Sequence, residues 1–275
     1  MNEASVFVEC GPMRLVIQAW RKGVPQGAQC LSAAHKSIQF LEEAASYFPQ
    51  CKAPAVDLNE PDPRLGIAHA LWSAARAIAA PDLTPMAAVA GAIADAVADE
   101  LVQQSMTKII VNNGGDIAAR LEASESLWAA IRPKVDRVDV SHYLRVDGSL
   151  PIGGICTSGL GGRSFTRGIA SAVTALAQRA AVADAAATAI ANAAYVDSPA
   201  VKRAPASSID PNSDLDDLDV TIRVDTLSDE EIGLALDKAL CYAEALASMG
   251  KIFGAVITVQ ERTVWTRRID RIVER

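Results

Sequence analysis

The side chains of this chain able to do chemistry gather in three short stretches. Asn112-Asn113-Gly114-Gly115-Asp116 follows a run of β-branched residues. Two glycines there let a ligand approach backbone N–H groups closely, and Asp116 stands at the lip of the bend. The same residue types also make an ordinary tight turn with an aspartate cap. Gly153-Gly154-Ile155-Cys156-Thr157-Ser158-Gly159-Leu160-Gly161-Gly162-Arg163 sets a thiol and two hydroxyls between glycines. N–H and O–H donors in such a setting cradle a phosphate or carboxylate, and Arg163 and Arg167 add charge-assisted donors. Cys156, Thr157 and Ser158 are the candidate nucleophiles or oxyanion donors, with a flexible loop as the competing reading. The glycine spacing matches neither a P-loop nor a dinucleotide fingerprint. Asp184 and Thr188, four positions apart in an alanine-rich run, share one helical face. A carboxylate beside a hydroxyl suits a hard cation such as Mg²⁺, which takes oxygen ligands and keeps waters or substrate phosphates. A surface aspartate near a threonine bonded to its own backbone gives the same spacing.

Other candidates are weaker. His35, His69 and His142 lack metal-type spacing. His142 falls on the apolar face of a strand pattern, where a satisfied core histidine is expected. The acidic stretch 210–219 lacks EF-hand spacing and reads as a solvated loop.

The elements that must position these residues follow from periodicity. Residues 13–20 predict a strand, and 28–48 a helix with Leu31, Ile38, Leu41 and Ala45 near one face. Four prolines mark 49–63 as a connection, and a helix follows over 64–79. Thr84-Pro85 starts another helix, in which Ala87, Ala90, Gly91 and Ala94 form a small-residue face open to close backbone approach. Residues 107–112 read as a short buried strand, and 137–146 as an alternating one with Val138, Val140, His142, Leu144 and Val146 on one side. A strand over 172–176 and a helix over 181–194 come next, then a long polar surface connection over 196–219. Val220, Ile222 and Val224 alternate in a strand. Ser228 and Glu231 form a capping box for a helix that Gly250 ends, and 254–260 with 263–267 make a closing hairpin. Strands and helices mix without regular βα alternation, so the expected class is α+β, with mixed or antiparallel sheets packed with helices. The expected organisation is one domain over 1–275, or two intimately packed halves connected near 196–219.

The bulk properties narrow the function classes. The chain has 275 residues, half of them apolar, and a net charge of −7. An acidic chain without a basic run points away from nucleic acid and anionic membranes, while a small anionic ligand remains compatible with a locally positive site. The first residues lack the basic start and apolar core of a signal peptide. The alanine-rich stretch 65–101 carries too many charges and prolines for a membrane span. Five scattered cysteines without a CxxC pair predict reduced thiols and a cytoplasmic setting.

The order of the segments carries a resemblance. Residues 85–95, then Asn113-Gly114-Gly115-Asp116-Ile117, then Cys156-Thr157-Ser158-Gly159, then Ala183-Asp184-Ala185-Ala186-Ala187-Thr188-Ala189 resemble the ApbE superfamily. Proteins of that superfamily are magnesium-dependent FAD:protein FMN transferases with an α+β fold. The resemblance implies that Asp184 and Thr188 match the metal-binding pair. It implies that Gly114, Gly115 and Asp116 match the ligand-side turn, and that Thr157, Ser158 and Gly159 match the Thr-Ser-Gly segment. It departs in three places, one of them the family's N-terminal flavin-contacting segment, which is not recognisable in this sequence. Ala90-Gly91-Ala92-Ile93-Ala94-Asp95 stands where the family carries Lys-Gly-Tyr-Ala-Val-Asp. Arg163-Ser164-Phe165-Thr166-Arg167-Gly168 stands where it carries His-Ile-Ile-Asp-Pro-x-Thr-Gly. The chain is most similar to an ApbE-like branch reading Pro-Met-Ala-Ala-Val-Ala-Gly-Ala-Ile and Ala-Asp-Ala-Ala-Ala-Thr-Ala-Ile.

Three functions stay open at this point. One is metal-assisted chemistry on a flavin nucleotide or another phosphate ester, with Mg²⁺ and FAD or FMN as the implied cofactors. Another is a metal-independent hydrolase for a small cyclic or carboxylate-bearing metabolite, with Arg163 and Arg167 as the clamp. The third is a non-catalytic binding or assembly protein, with the small-residue helix of residues 85–99 serving a homodimer.

Overall fold

Alternation of Met13, Leu15, Ile17 and Ala19 with more polar neighbours makes a strand with one buried face, and the computed structural model places such a strand there. The structure describes residues 5–133 and 140–274. The opening Met-Asn-Glu-Ala and the 137–139 part of the alternating strand, with Val138, lie outside the described residues. The first elements are β1 (Ser5–Cys10), β2 (Met13–Arg21), β3 (Val24–Pro25), α1 (Gly27–Tyr47), α2 (Gly66–Ile78) and α3 (Val89–Val102). Five strands follow: β4 (Lys108–Asn113), β5 (Asp116–Leu121), β6 (Ser126–Ile131), β7 (His142–Asp147) and β8 (Gly154–Ser158). Then come β9 (Ala172–Ala177), α4 (Ala180–Ala193), β10 (Val201–Pro205) and β11 (Asp219–Val224). The chain closes with α5 (Asp229–Ser248), β12 (Gly254–Val259), β13 (Arg262–Trp265) and β14 (Val273–Glu274). The class is α+β, and the register of every strand pair described is antiparallel.

Two compact units divide the chain. The first holds Met1–Leu127, Val146–Cys156 and Leu176–Ala185; the second holds Trp128–Arg145, Thr157–Ala175 and Ala186–Arg275. Residues 196–219 lie wholly within the second unit. No helix among the described residues is long and apolar enough to cross a membrane.

In the first unit β1, β2, β4, β5 and the start of β8 are neighbours in that order, with β3 on β2. Leu15, Ile17, Ile109 and Val111 are fully buried beneath α1 and α3. The face that α1 buries is Cys30, Ala33, Ala34, Ser37 and Ala44. That corrects the expected Leu31–Ile38–Leu41–Ala45 face, since Leu31 is 51% exposed. The reason lies in helix packing: α1 meets α3, whose own contact face is alanine-rich, and small residues allow closer backbones than leucine does. The helix begun at Thr84-Pro85 opens as a 3-10 turn over Pro85–Ala88, without a side-chain cap bond from Thr84, before α3 proper.

The first turns of α3 and α4 lock together. A Cβ on Gly91 would lie 2.3 Å from the Ala180 carbonyl oxygen, so only glycine permits this approach. Gly91 N–H donates to Asp184 Oδ2 at 2.9 Å, and Ala181 N–H donates to Asp95 Oδ2 at 3.0 Å. Each helix thus supplies the carboxylate that satisfies a first-turn N–H of the other, where the helix dipole also favours negative charge. Arg120 donates to Asp95 at 2.7 Å and to Asp99 at 2.9 Å, while Arg179 donates to Asp99 at 2.6 Å. Burial on its own would raise the Asp99 carboxyl, but Arg179 and Arg120 outweigh it and hold the group below the ordinary aspartate range.

In the second unit β9, β12 and β13 are neighbours in that order, and β14, β7 and β6 form a three-stranded sheet. β12 is buried along its whole length beneath α5. The α5 capping box is complete: Ser228 Oγ accepts from Glu231 N–H, and Glu231 Oε2 accepts from Ser228 N–H. Gly250 closes that helix with φ +72°. Two expectations change here. The stretch 196–219 contains β10 and is not solely a connection. Val220 and Thr221 are buried while Ile222 is 55% exposed, because β11 pairs with β10 as a short two-stranded ribbon and not within a larger covered sheet.

Two outcomes are expected. Gly91→Ala will lower the free energy of unfolding by about 2 kcal/mol, read as a shifted urea midpoint at unchanged slope; an unshifted midpoint would contradict the close α3–α4 contact. Asp99, with its lowered folded value, contributes stability that is present above the ordinary aspartate range and lost as pH falls through that folded value. Asp99→Asn should therefore flatten the acid limb of the stability–pH curve, measured by urea unfolding at successive pH values.

Candidate functional site

The Gly-Gly-Asp bend is the tip of the β4–β5 hairpin, in which Asn113 pairs with Asp116. Gly114 and Gly115 have φ of +68° and +117°, a backbone that L side chains rarely adopt. The Gly115 N–H is not left for a ligand: it donates to Asn112 Oδ1 at 2.8 Å. Asn113 ties the bend to α3, its Nδ2 donating to the Ala90 carbonyl at 3.2 Å. Asn113 and Asp116 are both buried.

Asp184 is in the second turn of α4 and is only 9% exposed, as is Asp116. Both act electrostatically on the thiol of Cys156, together with Asp95. Cys156 is fully buried, and its Sγ donates to the Ala180 carbonyl at 3.2 Å. Burial first, then the three carboxylates, push its pKa well up. A nucleophilic cysteine needs a thiolate and solvent access, and this environment supplies neither. The first unit therefore gathers Asp116, Asp184 and Asp95 around a protonated thiol. Among the described residues, no group of three or more His, Cys, Asp or Glu side chains is placed to hold a metal ion. The donor set of Asp116 and Asp184 is all hard oxygen, and Asp184 Oδ2 is oriented by the Gly91 N–H. Oxygens of this kind would suit a cation that keeps most of its shell as water or ligand oxygens.

The Thr-Ser-Gly segment belongs to the second unit and ends β8. Gly154–Ser158 of that glycine-rich stretch is thus strand and not loop. Thr157 Oγ1 and Thr174 Oγ1 lie 2.8 Å apart, and Thr188 Oγ1 donates to Ser158 Oγ at 3.4 Å. Gly159 has φ +145°, and a Cβ there would lie 2.7 Å from the Ser171 carbonyl oxygen. Arg163 is exposed on the following loop. Arg167 is half-buried: its N–H donates to Asn192 Oδ1 at 2.9 Å, and its Nε to the Asp219 carbonyl at 3.4 Å. His142 is a core residue, with Nδ1 3.0 Å from Ser141 Oγ and its ring edge-on to Trp265.

Sequence reasoning missed Arg203, Thr221, Tyr195 and Asn192. Asn192 stands two helical turns beyond Asp184, so helical spacing carried a signal for it. Arg203 sits in the stretch 196–219, whose prolines and charges conceal a strand of mixed burial pattern.

Comparison with known proteins follows the same lines. Over 103 residues the chain is 40% identical to the UPF0280 protein MK0206 of Methanopyrus kandleri, a match covering 36% of this chain and 38% of that relative. The matched part thus spans well under half of the relative's length. The crystal structure of the ApbE protein from Thermotoga maritima superposes with a TM-score of 0.54 at 12% identity, covering 98% of this chain and 99% of that one. The apo flavinyl transferase ApbE of Pseudomonas stutzeri gives a TM-score of 0.49 at 15% identity, over 98% and 95% of the two chains. The Thermotoga likeness is one of fold. The profile of the family described as AbpE bacteria matches residues 1–266, and this chain, with its Gly-Gly-Asp bend, Thr-Ser-Gly strand end and Asp184 helix, belongs to that family.

Proposed function

We infer that this protein is an ApbE-like enzyme that binds a flavin nucleotide or a related phosphate ester together with Mg²⁺. The observation that carries the reading is the pair of buried carboxylates, Asp116 and Asp184, on segments that follow the ApbE order. Asp184 would hold the cation, and Thr188, one turn further along α4, would offer a hydroxyl as a second oxygen. A bound Mg²⁺ supplies the positive charge that offsets the anion as a phosphoanhydride breaks. The chain's own residues supply position. Gly91 N–H holds Asp184 in one orientation, and the Asn113 amide holds the Gly-Gly bend against α3. The bend brings a main chain without side chains up to the ligand.

Two features shape the reaction class. Ala90 and the stretch Arg163–Gly168 replace the family's lysine and its His-Ile-Ile-Asp-Pro run, which favours cleavage or binding of the nucleotide over transfer of FMN to a protein. The metal-independent alternative loses its best nucleophile, because the Cys156 thiol is buried and held protonated.

Calorimetric titration of FAD and of ADP, with and without Mg²⁺, tests the reading. Saturable, Mg²⁺-dependent binding is expected. Asp184→Asn keeps an oxygen acceptor for Gly91 N–H while removing the charge, so the fold should stand and Mg²⁺-dependent binding should weaken at least tenfold, roughly 1.4 kcal/mol. Absence of heat from both nucleotides would sink the proposal, as would an Asp184→Asn protein that binds like the parent. Binding without turnover of FAD would make the protein a ligand-binding member of its family. Cys156 should resist iodoacetamide in the folded protein and react only in denaturant, as followed by mass spectrometry; rapid alkylation of the native state would reinstate the thiol as a candidate nucleophile.

A further inference from the structure

Among the described residues, the second unit holds two buried polar side-chain atoms without a hydrogen-bond partner. β10 and β11 pair antiparallel with Arg203 opposite Thr221, so these side chains rise from one face of the ribbon. Thr221 is 8% exposed, and among the described residues neither its hydroxyl nor the buried Nε of Arg203 has a hydrogen-bond partner. A buried donor left unpaired is costly, and native proteins keep few of them. The two stand on one pair of opposed register positions.

The surroundings say what chemistry a partner would have. Arg203 stacks on the Tyr195 ring, 4.7 Å from its centroid, and its Nη2 donates to the Asp219 carbonyl at 2.6 Å. Arg167 Nε donates to that same carbonyl, so two guanidinium groups converge on one backbone oxygen. Burial, and after it the charge of Arg203, weaken the hold of Arg167 on its proton, with Asp219 acting in the opposite sense. The cluster is preorganised: Thr221 N–H donates to the Thr166 carbonyl at 2.8 Å, and Asn192 Oδ1 fixes the neighbouring Arg167 N–H. Two planar forks held against mutual repulsion, beside an idle hydroxyl, are the donors that an oxyanion accepts from.

We propose that Arg203, Arg167 and Thr221 form a binding site for a small oxyanion, the phosphate or carboxylate group of a ligand. The site lies within the second unit and is separate in its residues from the Asp116–Asp184 pair of the first. It goes beyond the flavin reading and does not depend on it, because the probes are simple anions.

The test uses the full chain at low ionic strength, titrated calorimetrically with inorganic phosphate and separately with acetate. Saturable binding of one equivalent is expected. Preference for phosphate identifies a phosphoryl ligand, and preference for acetate a carboxylate one. Arg203→Gln and Arg167→Gln should each weaken binding at least tenfold. Thr221→Val supplies the diagnostic. Removing an unpaired buried hydroxyl leaves the free protein as stable as before or raises its Tm, yet it should weaken anion binding several-fold. Failure of both anions to saturate would overturn the site. So would binding that ignores Arg203→Gln and Thr221→Val, which would mark an adventitious ion only. A Thr221→Val protein of clearly lowered Tm would show instead that the hydroxyl has a structural partner.

Discussion

The exchange of carboxylates between α3 and α4 is the constraint on which the first unit depends. Neither carboxylate comes from a local capping residue: Ala88 precedes α3 and makes no cap bond. Asp184 reaches the Gly91 N–H and Asp95 reaches the Ala181 N–H, so each helix start is completed only when the other is in place. Burying a carboxylate is costly unless it is paired. Asp95 meets that cost with Arg120 and Arg179, which also draw in Asp99. The same geometry orients Asp184 with a backbone donor, which gives the candidate site a carboxylate of fixed direction.

Alanine makes this arrangement possible. The contact faces of α1, α3 and the start of α4 consist largely of Ala and Gly, and the backbones approach until Gly91 touches the Ala180 carbonyl. In such packing the decisive quantity is how close two backbones come, not how large the apolar side chains are. Leucine at position 31 is consequently left outside while Ala33 and Ala34 are buried.

The second unit is built by a different balance. Its core is conventional, with β12 buried under α5 and the helix started by its own Ser228–Glu231 box. The β10–β11 ribbon makes polar contacts through Arg203, the Asp219 carbonyl and the Thr221 N–H, which donates to the Thr166 carbonyl. Among the described residues, that ribbon holds the two buried polar side-chain atoms without a hydrogen-bond partner.

Local chemistry in the sequence determined most of the elements. Alternation fixed β2, positive-φ glycines fixed the β4–β5 tip, and the Ser228–Glu231 spacing with Gly250 fixed both ends of α5, because each of these signals acts within a few residues. The order of the Gly-Gly-Asp, Thr-Ser-Gly and Asp-x-x-x-Thr segments was enough to point to the ApbE superfamily. Tertiary structure alone decided the rest. Nothing in the sequence says that Asp184 caps α3, that Cys156 is sealed under a carbonyl, or that Arg203 meets Thr221. Those outcomes depend on which backbones come together across tens of residues, and a hydrogen bond between distant segments leaves no periodic trace in either one.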